Sequence, residues 1–292
     1  MISVIVINWN RAADAEQAVH SVLKRNPSGG FQILLWDNGS LDDSHERLTR
    51  AFGKTPEVRL VFAGENLGVC AGRNRAVEQA EGDVLVFMDS DSLLETTGAF
   101  ERLEAAFRDQ PDTGALNFEI HQGGKILWPF SRPESVWGKR TFDITRIDGC
   151  GFAIRKDVFL LAGGFPEHFG YGAEEHYLAR RVIAEGFRVV YFPEIAVTHL
   201  KVPSGRTPDQ FSTTMRNHIW MPLELFRMPW ALVSALNMLN VYARDAHKEK
   251  RWQDFRRGLW MTIREFRMSR RKPMSRTAWT TFRGVIREDK QV

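Results

Sequence analysis

Ser3-Val4-Ile5-Val6-Ile7, followed at once by Asn8-Trp9-Asn10, decides how the rest of the chain is read. A β-branched run without polar alternation is what a strand covered on both faces requires, so helices are expected on either side of a sheet. Working outward, Ala15, Ala18, Val19, Val22 and Leu23 recur at helical spacing and stop before Pro27 and Gly29-Gly30. A second strand is expected over 31–36, a second helix through Leu41, Leu48 and Phe52, and a third strand over 58–62. A third helix over 69–80 and a fourth strand over 84–88 follow. Four strands alternating with three helices specify an α/β chain with a doubly wound, mostly parallel sheet and right-handed crossovers.

After Gly114 the pattern is less regular, with strands expected over 115–120, 126–128, 189–192 and 195–198 and a helix over 174–184. Beyond about 201 the chain reads as helical. Its 292 residues, 43% hydrophobic with 20 Phe and 9 Trp, exclude disorder. Cys70 and Cys150 are too few for a disulfide framework, and no Cys/His cluster has zinc-like spacing. The first residues lack the basic start and cleavage site of a signal peptide, so a cytoplasmic chain is expected. The longest uncharged stretch, 228–243, has sixteen residues, short of the roughly 20 that span a bilayer.

Charge is unevenly placed. Residues 244–292 hold 15 Lys/Arg against 6 Asp/Glu, a net +9, while the whole chain is only +4. Within this tail Trp252, Phe255, Leu259, Trp260, Ile263 and Phe266 recur near helical spacing with Arg256, Arg257, Arg264 and Arg267 between them. Two readings stand: a helix packed on its own domain, or a basic aromatic helix resting peripherally on an anionic membrane at its inner face. Nucleic acid is set aside because no binding motif accompanies the charge.

In open α/β sheets ligands bind beyond the carboxyl ends of the strands. Those ends carry Asn8-Trp9-Asn10, Asp37-Asn38-Gly39-Ser40, Gly64-Glu65-Asn66 and Asp89-Ser90-Asp91. No GxGxxG follows the first strand and no GxxxxGK[ST] occurs, so phosphate must be held another way. Asp89 and Asp91, two residues apart at a strand end, can face one divalent cation such as Mg²⁺ or Mn²⁺. They can equally be ordinary acidic turn residues.

Four segments in series, Ser3 to Arg11, Trp36-Asp37-Asn38-Gly39-Ser40, Glu65-Asn66-Leu67-Gly68 with Ala71-Gly72-Arg73-Asn74, and Phe87-Met88-Asp89-Ser90-Asp91, resemble the nucleotide-sugar half of family-2 glycosyltransferases. Gly149-Cys150-Gly151-Phe152, Gly163-Gly164-Phe165-Pro166-Glu167, Gly172-Ala173-Glu174-Glu175 and Val197-Thr198-His199 resemble the acceptor half. The resemblance covers about residues 1–200 and implies a GT-A fold, with a domain over 1–205 (halves 1–115 and 116–205) and a basic helical extension over 206–292. It further implies metal-dependent, inverting transfer from a nucleoside diphosphate sugar to a hydroxyl of a glycan, lipid-linked or other acceptor, in glycan or glycoconjugate synthesis.

By this resemblance Asp89, Asp91 and His199 hold Mn²⁺ or Mg²⁺, and Asn8, Trp9, Asp37, Asn66, Arg73, Asp89 and Ser90 serve the nucleotide. The alternatives for three of these are that Asp37 caps a turn, Trp9 is core and Arg73 is a solvated helix residue. Inversion needs a base on the face opposite the leaving group. The family uses the second acid of its pair, which selects Glu175, with Glu174 orienting the acceptor or the helix. Here the pair is Glu-Glu where Glu-Asp is common, and Tyr177 stands where an acidic residue is frequent. Acceptor contacts are expected from 128–137 and 165–172. A sugar-1-phosphate nucleotidyltransferase and a non-catalytic glycan-binding protein are the other functions weighed. The first lacks its glycine-rich basic loop; the second is disfavoured by Asp91 and Glu175 together.

Overall fold

The computed structural model describes residues 1–26, 30–127, 140–200 and 209–290. Strands β1 (Ile2–Asn8), β2 (Phe31–Asp37), β3 (Val58–Phe62) and β4 (Val84–Asp89) are parallel and alternate with α1 (Ala12–Arg25), α2 (Ser44–Phe52) and α3 (Gly68–Glu78). Their order is β3-β2-β1-β4. The sheet therefore reverses direction of growth at β1, and the carboxyl ends of β1 and β4 flank the crevice that such a reversal opens.

The chain continues through β5 (Ser92–Leu94), α4 (Ala99–Asp109), β6 (Thr113–Gln122), β7 (Lys125–Leu127), β8 (Phe142–Asp143), β9 (Gly151–Arg155), α5 (Lys156–Ala162), α6 (Glu174–Ala184) and β10 (Arg188–His199). The sheet extends from β4 as β9-β6-β10-β5, with β7 on β6 and β8 on β10. β9 runs against both β4 and β6, whereas β6 and β10 are parallel, so six of the eight strands on the described path share one direction. Alternate residues build two cores: Val4, Val6, Ile33 and Leu35 pack with α1, α2 and α4, and Ile5, Leu34, Trp36 and Phe87 pack with α3, α5 and α6.

Two local expectations change. Leu41 lies outside the second helix and is 91% exposed, because the Asp42 carboxylate accepts the Ser44 N–H and starts α2 there. The strands expected over 189–192 and 195–198 are one strand, β10, with a register shift between Phe192 and Ala196. That bulge surrounds Pro193, which cannot donate to a ladder. It turns the end of β10 onto β5, where His199 pairs with Ser92.

The tail is helical, as α7 (Gln210–Leu225), α8 (Trp230–Lys248), α9 (Trp252–Glu265) and α10 (Arg276–Lys290). No residue of α7 is exposed. Its Trp220, Met221 and Leu225, with Phe282 of α10, join the same core as Phe87 and Phe152. The six aromatic and aliphatic residues of the basic helix do not form one seam: Phe255, Leu259 and Phe266 pack inward, whereas Trp252, Trp260 and Ile263 are exposed. The boundary placed at 205/206 and the acceptor region placed at 128–137 fall outside the described residues.

Candidate active site

A cavity of about 780 Å³ opens at the carboxyl ends of β1 and β4, and its walls include Arg73, Asp89, Asp91, Glu174, Glu175 and His199. Ser90 also lines it. Arg73, carried by α3, is its centre. The guanidinium donates to Asp89 Oδ1 at 2.7 Å, to Glu175 Oε1 at 2.9 Å and to the Gly149 carbonyl at 3.3 Å. It lies 5.2 Å from the Phe165 ring centroid and is 2% exposed, so it is not a solvated helix residue. A Cβ at Gly149 would sit 2.2 Å from Glu175 Oε1, so any larger residue there would push the Glu175 carboxylate from its place.

Glu174 and Glu175 open α6 on a sharp turn in which Gly172 (φ +89°) and Ala173 (φ +69°) are both left-handed. A positive φ at a non-glycine residue is costly and persists where surrounding structure enforces it. Gly172 sits so close to α7 that a Cβ would meet Thr214 Oγ1 at 2.3 Å. Asn217 of α7 then donates from Nδ2 to the carbonyls of Phe169 (3.0 Å), Tyr171 (3.0 Å) and Gly172 (2.8 Å). Asn217→Ala would leave these carbonyls short of a donor. It is expected to destabilise the chain by about 1–3 kcal/mol and to lower kcat with donor affinity retained; unchanged turnover would exclude α7 from positioning the acid pair.

The two acids differ in environment. Glu174 is 3% exposed, its Oε2 has no hydrogen-bond partner among the described residues, and burial beside the charge of Glu175 pushes its carboxyl up to about 8. Glu175 has the buried Arg73 as counter-ion. Glu174 in the folded chain thus keeps a proton that the unfolded chain releases near its ordinary 4.5, and stability falls as pH rises from about 4.5 to about 8. Glu174→Gln should therefore raise Tm by an amount that widens across that window. A Tm difference that stays constant or shrinks would contradict burial as the cause.

On the opposite wall, Asp89, Cys150 and His199 offer ligand atoms all within 4.8 Å of one another. Asp91 lies beside them, its Oδ2 2.9 Å from Arg11 Nη1 and 3.5 Å from His199 Nε2. Burial pushes the Asp89 carboxyl up to about 6, with Asp91 and Glu175 adding to the effect against Arg73. Burial also opposes ionisation of Asp91, but the His199 hydrogen bond and the Arg11 charge outweigh it and hold that carboxyl below its usual range. Two carboxylates and an imidazole fit Mn²⁺ or Mg²⁺. Cys150 offers a soft sulfur, which suits these hard cations less well than carboxylate oxygens. The Gln122 side-chain N–H donates to His199 Nδ1 at 2.8 Å, so in the neutral ring the proton sits on Nε2, toward Asp91 Oδ2, and a cation bound at Nε2 would displace it.

The remaining sequence-selected residues sit outside the cavity wall. Asp37 is buried and its oxygens are taken by Asn8 Nδ2 (2.7 Å), the Ser40 N–H (2.9 Å) and the Ser40 hydroxyl (2.6 Å). It does cap the turn after β2. Asn66 is exposed, accepting the Gly68 N–H at 2.8 Å where α3 begins. Trp9 is 43% exposed and so is not core. In the loop over 165–172, Phe165 and Phe169 are core, leaving Tyr171 as the aromatic that lines the cavity.

The model of glycosyl transferase family 2 matches residues 3–160, more than half of the chain. The chain belongs to glycosyltransferase family 2. Among its relatives in the family is glycosyltransferase AglE of Haloferax volcanii, 24% identical over 213 residues that cover 70% of this chain and 68% of that protein. The glucosyl-dolichyl phosphate glucuronosyltransferase of the same organism is 23% identical over 269 residues, covering 84% and 82%. Among solved structures, the Pyrobaculum calidifontis mannosyltransferase PcManGT in complex with GDP-Man and Mn²⁺ superposes with a TM-score of 0.62 at 15% identity, covering 91% of this chain and 88% of that one. The fold is GT-A.

Within this family-2 chain Tyr177, found where an acid is frequent, is buried, and burial together with the nearby Glu224 of α7 pushes its hydroxyl up. An acid is still present at that place, supplied from a different helix. Residues that the sequence reading did not assign are Arg11, Gln122 and Asp148, which line the same cavity, and Asn217. Arg11 closes the first quoted motif and Asp148 precedes another, so both had a local signal. Gln122 and Asn217 had none, since their partners are His199, 77 residues away, and a loop about 45 residues away.

Proposed function

We propose that this family-2 enzyme is a metal-dependent inverting glycosyltransferase that moves a sugar from a nucleoside diphosphate donor to a hydroxyl of a glycan or lipid-linked acceptor in the building of glycans or glycoconjugates. The observation that carries it is one cavity with a carboxylate-imidazole group on one wall and an acid pair on the other, bridged by a buried arginine. Asp89, Asp91 and His199 hold Mn²⁺ or Mg²⁺, which when bound supplies positive charge against the departing diphosphate. PcManGT carries GDP-Man with Mn²⁺, and the relative named for glucosyl-dolichyl phosphate supports a lipid-linked acceptor.

Glu175 takes the proton of the acceptor hydroxyl as that oxygen attacks the anomeric carbon, and the nucleoside diphosphate leaves from the opposite face. Arg73 holds the Glu175 carboxylate in place at the cavity wall through their 2.9 Å contact. Glu174, protonated near neutral pH, donates a hydrogen bond to the acceptor and orients it. The test is a panel of nucleotide sugars with Mn²⁺ and no acceptor, followed by NMR of the released sugar. Slow hydrolysis with inverted anomeric configuration is expected. Retention would overturn inversion, and absence of turnover with every donor, with or without glycan acceptors, would favour the glycan-binding reading.

A further inference from the structure

Helices α8 and α9 form a hairpin through residues 249–251 and pack on α7 and on each other. With no residue of α7 exposed, their faces turned away from it make the outer surface of this end of the molecule. That surface is unusual for a soluble chain. Of the seventeen exposed large hydrophobic residues among those described, ten lie between Met228 and Met268. Single exposed apolar residues need no explanation, but a concentration of this kind marks an interaction surface.

The two stripes have different chemistry. On α8, Leu232, Val233 and Leu236 are 51%, 42% and 64% exposed, and at helical spacing they fall within an arc of about 100°. No charge occurs from 228 to 243. On α9, Trp252, Trp260 and Ile263 are 46%, 53% and 73% exposed and share their face with exposed Arg256, while exposed Arg267 follows just past the end of the helix. Arg256, Arg264 and Arg267 make no ion pair among the described residues, in contrast to Arg257, which pairs with Asp209. The Arg264 guanidinium rests 4.6 Å from the Trp260 ring centroid.

We propose that this outer face of α8 and α9 is a docking surface for an anionic lipid bilayer. An apolar stripe beside interleaved tryptophans and unpaired guanidiniums matches what an interfacial helix presents, with indoles at the headgroup level and cations against phosphate. A second copy of the chain fits less well, since it would set like-charged arginines against one another. No described helix is long and apolar enough to cross a membrane, so the face lies on the bilayer. Only α7, about 10 Å across, lies between this layer and the loop that precedes the acid pair.

The test is co-flotation of the full chain with neutral phosphatidylcholine vesicles and with vesicles containing 30% phosphatidylglycerol, at low and high salt. The chain is expected to float with anionic vesicles, weakly with neutral ones, and less as salt rises. Arg256→Glu with Arg264→Glu should weaken anionic-vesicle binding by at least about fivefold per charge removed, and Leu232→Ser with Leu236→Ser should weaken binding to both vesicle types. Exposed positions leave folding intact, checked by Tm and circular dichroism. Equal binding to neutral and anionic vesicles, or wild-type binding by both variants, would overturn the proposal. So would a dimer in light scattering that Leu232→Ser with Leu236→Ser dissolves while vesicles recruit neither form.

Discussion

Glu175→Gln is expected to lower kcat by roughly 10²–10⁴-fold, the usual contribution of a general base, with little change in donor affinity. Glutamine keeps the shape of the side chain and an oxygen that can still accept from Arg73 Nη1, which lies 2.9 Å from Glu175 Oε1. It cannot take a proton from the acceptor. In the proposed reading the donor is held by Asp89, Asp91 and His199 and not by Glu175, so the loss belongs in kcat. Glu174→Gln serves as the control. Glu174 is already pushed toward its protonated form, and an amide also donates hydrogen bonds, so kcat should fall less and the acceptor KM should rise. If Glu174→Gln is the inactive variant while Glu175→Gln keeps near-normal turnover, the two roles must be exchanged.

Asp91→Ala is expected to reduce transfer by about 10²–10³-fold or more, the scale seen when a group that stabilises developing charge is removed, and to weaken diphosphate binding in Mn²⁺. The carboxylate stands between Arg11 and His199, and its loss leaves His199 Nε2 without this partner and Arg11 with Asp14 alone. The turn itself is held by the backbone, through the Leu200 N–H to the Asp91 carbonyl at 2.8 Å, so circular dichroism should be unchanged. Steady-state rates with and without EDTA check it: full activity of the variant in EDTA would remove the metal from the account.

The nucleotide half of the fold was legible because its signals are local. A β-branched run such as residues 3–7 and a helical repeat such as Ala15, Val19 and Val22 each carry their own period, and strands β1 to β4 and helices α1 to α3 follow from them. Past Gly114 the decisive pairings are long-range. β9 inserts antiparallel between β4 and β6, and four of its five residues are buried among partners far away in sequence. The helical spacing of Ala99, Phe100, Leu103 and Phe107 was present in the sequence but not read as α4.

The site divides in the same way. The acid pair, Asp89 and Asp91 were visible as motifs at element ends, and His199 reached them only through the bulge in β10. The environments were not visible. That Arg73 bridges Asp89 and Glu175 depends on burying α3 against two other elements, and that Glu174 rather than Glu175 is the buried acid depends on the left-handed turn at Gly172 and Ala173. In the basic tail, periodicity showed that a helix forms but not which side of it faces the core. Phe255 and Leu259 alternate with Trp252 and Trp260 closely enough that only packing on α7 separates them.

The central claim is that a nucleoside diphosphate binds this cavity through a divalent cation held at Asp89, Asp91 and His199. A thermal-shift titration of UDP, GDP, dTDP, ADP and CDP, each with Mn²⁺ and with EDTA, measures it directly, because binding to the folded chain raises Tm by mass action. The account predicts a concentration-dependent rise with one nucleotide class in Mn²⁺, little or none in EDTA, and its loss in Asp91→Ala. A rise of the same size in EDTA, or one that survives Asp91→Ala, would contradict it.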